Sequence, residues 1–178
     1  VIHGDDFTIL GNEVELDWFR DRIRERFEVK FRARLGPGDK DDKSVRLLNR
    51  VIEWTADGIR YEADQRHAEI LIEALGIKDT NAVTTPGVKE SGGESSISHK
   101  GTEFRAAAAR IHYLAQDRLD SQFAGKEVCR KMFASEEEDW IKTKRIARYL
   151  KGQPRLVQMF EFQEEQDCIN AYSDSDHA

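Results

Sequence analysis

The chain has 178 residues, 39% hydrophobic and 35% charged, with a formal net charge of −6. Such a composition reads as one globular domain, or one with a small appendage, with enough length to bury a core. Its acidity argues against a generic nucleic-acid coat protein. No apolar run nears the roughly 20 residues of a membrane helix, and no signal peptide is visible. Cys129 and Cys168 lack metal-ligand spacing and read as reduced thiols of an intracellular protein.

Residues 1–3 and 7–10 are short apolar runs around the turn Gly4-Asp5-Asp6, which predicts a β-hairpin with carboxylates at its tip. Asn12 is a candidate N-cap. Leu16, Phe19, Ile23 and Phe27 then recur at helical spacing, predicting an amphipathic helix over 12–27 with Trp18 on its opposite side. Alternation over 29–34, with Lys30, Arg32 and Arg34 on one side, predicts a strand. Residues 36–43 are a loop rich in Gly, Asp and Lys. Residues 45–54 and 59–63, around Thr55-Ala56-Asp57-Gly58, predict a second hairpin. Asp64 caps an expected helix over 65–75, with Ala68, Ile70, Leu71, Ala74 and Leu75 inward and Gly76 at its end.

Residues 80–99, rich in Ser, Thr and Gly, form an expected flexible connection. Helices are predicted over 102–115, 121–134 and 135–151, the last opened by a capping box of Ser135 and Glu138. Residues 156–162 and 168–173 read as further strands. The order suggests an α+β unit followed by the opening of a second sheet domain. The first residues already read as a strand and the last follow one, so the chain is expected to be an internal piece of a longer protein.

Three features carry chemistry. Adjacent Asp5 and Asp6 suit a divalent metal, which wants hard oxygen ligands, although such a turn is also common as a solvated loop. On the helix 135–151, Trp140, Ile146, Ala147, Tyr149 and Leu150 fall in one half-circle. Lys144, Arg145, Arg148 and Lys151 fall in the other, with Ile141 among them. That basic face is either merely solvated or a track for phosphates; Arg155 and the 29–34 strand are candidate extensions. On the residues alone, Asp174 and Asp176 read as a frayed polar tail. The histidines show no ligand spacing. His112 is expected to be partly buried, and His67, His99 and His177 to lie at the surface.

Five blocks in order then carry a resemblance. They are Gly4-Asp5-Asp6 with its following elements; Ala63-Asp64-Gln65-Arg66-His67 with Leu75-Gly76-Ile77 and Thr84-Thr85-Pro86; Phe104-Arg105 with Tyr113-Leu114-Ala115; Trp140 with Lys144 to Gly152; and Tyr172-Ser173-Asp174-Ser175-Asp176. Together they resemble the Pol polyprotein of copia-class (Pseudoviridae-type) retrotransposons, from the reverse-transcriptase palm through thumb and connection to the start of ribonuclease H. The resemblance covers essentially the whole chain.

It implies a partial palm over 1–63, a first thumb helix and exit over 64–86, and a linker over 87–101. A helical thumb and connection over 102–154 and the first ribonuclease H-like strands over 155–178 complete the implied domains. It implies that Asp5 and Asp6 are catalytic metal ligands, that Asp174 is the first carboxylate of an incomplete ribonuclease H cage, and that Leu48, Asn49 and Arg50 belong to a primer grip. The family usually has an aromatic residue where His3 stands and Gly where Asn49 stands. Both departures touch primer contact.

The cofactor implied is Mg2+, two ions in the complete enzyme, with Mn2+ as an alternative. The implied partners are an RNA/DNA template–primer duplex and the remaining palm, fingers and ribonuclease H segments of the same polyprotein. The implied location is cytoplasmic or within virus-like particles, with nuclear access. The expected function is part of an RNA-directed DNA polymerase, inactive alone because an earlier palm aspartate and the fingers are missing. The alternative is a non-catalytic nucleic-acid-binding remnant or a decayed element.

Overall fold

The computed structural model describes residues 2–3, 6–88, 101–164 and 171. It is a mixed α+β protein with five α-helices and a four-stranded antiparallel sheet among the described residues. It divides into two compact units, Val1–Arg34 and Leu35–Ala178. The second hairpin therefore belongs with the helices, whereas the resemblance grouped it with the first 34 residues. No described helix is long and apolar enough to cross a membrane.

In the first unit, β1 (Ile2–His3) pairs antiparallel with β2 (Asp6–Phe7), His3 opposite Asp6. Helix α1 (Glu13–Arg24) follows, and the Asn12 side chain accepts the Glu15 N–H at 3.0 Å as predicted. Acidic residues in its first turn and basic ones in its last complement the helix dipole. Leu16, Phe19 and Ile23 form the expected stripe but are only half-buried, and Phe27 is exposed. No residue of α1 is fully buried.

The predicted strand over 29–34 does not form. Alternation alone cannot make a strand without a neighbour to accept its backbone hydrogen bonds. This segment is held instead by side chains. Arg34 bonds Asp17, Arg32 approaches Asp6, and Arg24 lies over the Phe31 ring.

In the second unit, 45–54 is not one strand but two, β3 (Ser44–Leu47) and β4 (Arg50–Trp54). Leu47 pairs with Arg50 across a two-residue turn. Leu48 and Asn49 both have positive φ, 49° and 65°, the requirement of the hairpin turn whose twist matches its strands. Strand β5 (Gly58–Glu62) pairs with β4, and β6 (Val157–Glu161) pairs with β5. The strand expected to open a second sheet thus completes the first one. Gly58 is required where β5 and β6 meet, because a Cβ there would stand 2.7 Å from Glu161 Cα.

Alternation sorts the sheet. Arg50, Ile52, Trp54, Ile59, Tyr61, Gln158 and Phe160 share one face by register. The other carries Glu53, Arg60 and Glu62, with Arg60 paired to Glu53 and Arg155 forked onto Glu62.

The core is helical. Helix α2 (Arg66–Ala74) packs on α3 (Gly101–Ala115) and α5 (Glu137–Gly152), and α4 (Gln122–Arg130) closes the other side after a 3-10 turn at Leu119–Ser121. Phe104, Leu71, Ile111, Ile146, Leu150 and Val128 are the largest fully buried side chains, together with Thr143. Gly125 lets α4 approach Ile111 and Ala115 closely.

In α2, Ala68 and Leu71 face inward as predicted, but Ile70 and Ala74 face out. Ile77 is buried beyond Gly76, whose φ of +62° ends the helix. Helix α4 stops at Arg130, short of the expected 134. The capping box of α5 is Glu136 with Asp139, one residue later than expected.

Buried polar groups fasten the helices. Arg118, 2% exposed, forks onto Asp120 at 3.0 and 2.7 Å and donates to the Gln153 and Pro154 carbonyls. Tyr149 donates to the same Asp120 at 2.9 Å. Burial works against the Asp120 charge, but Arg118 and Tyr149 outweigh it and hold the carboxyl below its ordinary range.

Candidate functional site

Of the carboxylate pair, Asp6 is described and Asp5 lies outside the described residues. The Asp6 carboxylate has the Arg32 guanidinium at 3.5 Å. Among the described residues no group of three or more His, Cys, Asp or Glu side chains converges as a metal site would require. The described donors therefore fall short of a dication cage. Asp174 and Asp176, with all of the predicted strand 168–173 but Ala171, also lie outside the described residues, as do Cys168, His99 and His177.

Of the primer-grip residues, Leu48 and Asn49 stand exposed at the turn. Arg50 turns back into the protein. Its Nε donates to Asp117 Oδ2 at 2.8 Å, while the Tyr61 hydroxyl donates to Oδ1 at 2.7 Å. Gln158 donates to the Asp117 carbonyl at 2.9 Å, so β4, β5 and β6 all converge on the residue just past α3. Arg50 also lies over Tyr113, whose ring meets His67 at 4.5 Å. Burial, followed by the Asp117 bond, pushes the Tyr61 hydroxyl up to about 12. Burial lowers the His67 pKa. His67 is thus the half-buried histidine, and His112 is exposed, the reverse of expectation.

The basic face of α5 exists as predicted, with Trp140, Ile146, Ala147 and Leu150 buried and Ile141 exposed on the cationic side. What the sequence did not foretell is the backbone laid across it. The chain leaving α2 runs along α5 over residues 78–87. Lys151 Nζ donates to the Thr80 carbonyl at 2.7 Å and also to that of Lys78. Arg148 Nε donates to the Asn81 carbonyl at 2.6 Å, and Arg145 to Thr85 Oγ1 at 2.9 Å.

Lys144 has no partner in this segment and lies over the Trp140 ring at 5.7 Å. Among the described residues none of these four cations is paired with a carboxylate. Arg145 Nε is enclosed and has no hydrogen-bond partner among the described residues. Of the other cations considered with this face, Arg155 is engaged by Glu62 and Arg34 by Asp17.

These four half-buried side chains thus gather positive charge on one side of the helix with no carboxylate partner among the described residues. Their acceptors are neutral carbonyl and hydroxyl oxygens, which orient a cation without cancelling its charge. An open groove between α3 and α4, about 380 Å³, is the other concavity of note. It is bordered by His112, Ala115, Gln116, Gln122, Lys126, Cys129 and Arg130, and most of its lining surface is apolar.

No family model, curated protein or solved structure matches this chain.

Proposed function

We propose that this chain is part of a reverse transcriptase of the copia class, and that α5 binds the phosphate backbone of an RNA/DNA template–primer duplex. The observation that carries this is the set Lys144, Arg145, Arg148 and Lys151, none of them paired with a carboxylate among the described residues, in a chain of net charge −6. A chain that repels polyanions overall binds one only through such a local field. The ordered sequence blocks supply the rest of the proposal.

Asp5 and Asp6 are assigned as two ligands of a magnesium site whose other ligands come from elsewhere in the polymerase. Magnesium there, when bound, supplies charge stabilisation for phosphoryl transfer. The ribonuclease H assignment of Asp174 and the primer-grip assignment of Leu48, Asn49 and Arg50 are part of the same proposal. In it Leu48 and Asn49 meet the primer, and Arg50 fixes their turn through Asp117.

Fluorescence anisotropy with a labelled RNA/DNA primer–template tests the binding. The variant Lys144→Gln/Arg145→Gln/Arg148→Gln removes charge and keeps amide donors for the covering segment. Loss of binding in that variant is expected. Equal affinity in variant and wild type would overturn the assignment. The non-catalytic alternative shares this binding and is separated by primer extension. Extension by an enzyme containing this chain, abolished by Asp5→Asn, supports the polymerase; extension that survives Asp5→Asn refutes the metal assignment.

A further inference from the structure

Three of the four cations on the basic face of α5 are fixed by one segment, and each is fixed by only part of its donor set. Arg148 uses Nε on the Asn81 carbonyl. That leaves both terminal NH2 groups of its five-donor fork without a protein partner among the described residues. Arg145 uses one terminal nitrogen on Thr85. Lys151 bonds two carbonyls, those of Lys78 and Thr80, with an ammonium that carries three N–H donors.

The segment is itself anchored. Ile77 is buried at its start, and Val83 and Pro86 are half-buried along it. Gly152 admits it closely, since a Cβ there would stand 2.9 Å from the Ala82 Cβ.

From this arrangement we propose that residues 78–87 are a positioning strap for polyanion binding, its neutral oxygens holding Arg145, Arg148 and Lys151 in place while their charge and spare donors remain available to phosphates. The inference rests on the nucleic-acid function proposed above. Free lysine and arginine side chains lose much rotamer entropy when a ligand immobilises them. Here that ordering has already occurred on folding, so less is lost at binding. Carboxylates in place of the carbonyls would fix the same side chains but neutralise them. Thr85 is the strap residue whose side chain does the positioning, acting through Arg145.

Two variants test the strap without touching a cation. Thr85→Val removes the acceptor for Arg145, and Gly152→Ala wedges the strap at Ala82. Each is measured by anisotropy with the labelled RNA/DNA hybrid beside a thermal melt. Affinity is expected to fall roughly three- to tenfold in each, the effect of having to order one freed side chain at binding. Ile111→Val, a core change that removes none of the strap's hydrogen bonds, serves as the stability control and is expected to bind like wild type.

If Thr85→Val and Gly152→Ala bind like wild type while the triple glutamine variant does not, the strap inference is wrong and the proposed function stands. Tighter binding in the strap variants would make the segment an obstruction and overturn the inference. So would Ile111→Val weakening binding as much as they do. A wild-type chain with no salt-sensitive binding overturns both the inference and the function.

Discussion

Replacing Asp117 by alanine should expose how the hairpin carrying Leu48, Asn49 and Arg50 is fixed to the helices. The carboxylate accepts from Arg50 Nε at 2.8 Å and from the Tyr61 hydroxyl at 2.7 Å, and the Arg50 and Asp117 side chains are 16% and 12% exposed. Its removal loses two bonds to an ionised carboxylate, each about 1.5 kcal/mol at the low end of the range for charge-assisted bonds. It also leaves the guanidinium unpaired in a site where water reaches only part of it. Residual solvation keeps the total near the lower end, about 2–3 kcal/mol, below the ~3–5 kcal/mol of a fully buried broken pair. Urea unfolding followed by circular dichroism measures it. Arg50→Met in the Asp117→Ala background should recover part of the loss, because the stranded charge goes with it, giving a coupling energy of about 1–2 kcal/mol. A loss under about 0.5 kcal/mol, or strict additivity in the double variant, would refute the claim that Asp117 is what holds this corner.

Three further outcomes follow from the same geometry. The Tyr61 pKa is raised from 10.0 to about 12, so its neutral form is favoured by folding; the stability it contributes is full below pH 10 and lost as pH rises towards 12. Tyr61→Phe should flatten that part of a pH–stability profile, and an unchanged alkaline limb would contradict the assignment. Gly58→Ala should cost about 1–3 kcal/mol by overpacking against β6, with a change in Trp54 fluorescence because Trp54 meets Phe162 at 4.8 Å; wild-type stability would mean that β5 and β6 are not so closely apposed. Leu48→Asn should stabilise the hairpin by up to about 1 kcal/mol, since Leu48 sits at φ 49° where asparagine is better tolerated; a destabilised hairpin would mean that the leucine side chain matters more than its backbone strain.

Much of the fold was legible where a local signal exists. The Asn12 cap, the Gly76 stop and the apolar half of α5 are set by neighbours within one or two turns. What failed needed knowledge of distant partners. Residues 29–34 alternate correctly yet have no strand to pair with. Val157–Glu161 reads as a strand, but nothing local says that it pairs with a strand about a hundred residues earlier. Leu48-Asn49 lacks the glycine that usually advertises a primed turn, so two strands read as one.

The same holds for the candidate site. The four α5 cations were visible from helical spacing, but the strap was not, because main-chain carbonyls carry no residue-type signature. Asp117 and Arg118 follow a helix end and look like ordinary surface charges in sequence. The clue available was weak: Asp117-Arg118 and Asp120 directly before a new helix, a density of paired charge at a junction that must turn sharply.

The most direct test of the central claim is the salt dependence of RNA/DNA duplex binding by the wild-type chain. Engagement of phosphates by the four basic-face cations of α5 predicts that log K falls with log salt at a slope of about −3.6. That slope should shrink by about 0.9 for each charge removed among Lys144, Arg145 and Arg148. A slope near zero, or one that those substitutions leave unaltered, would contradict the claim.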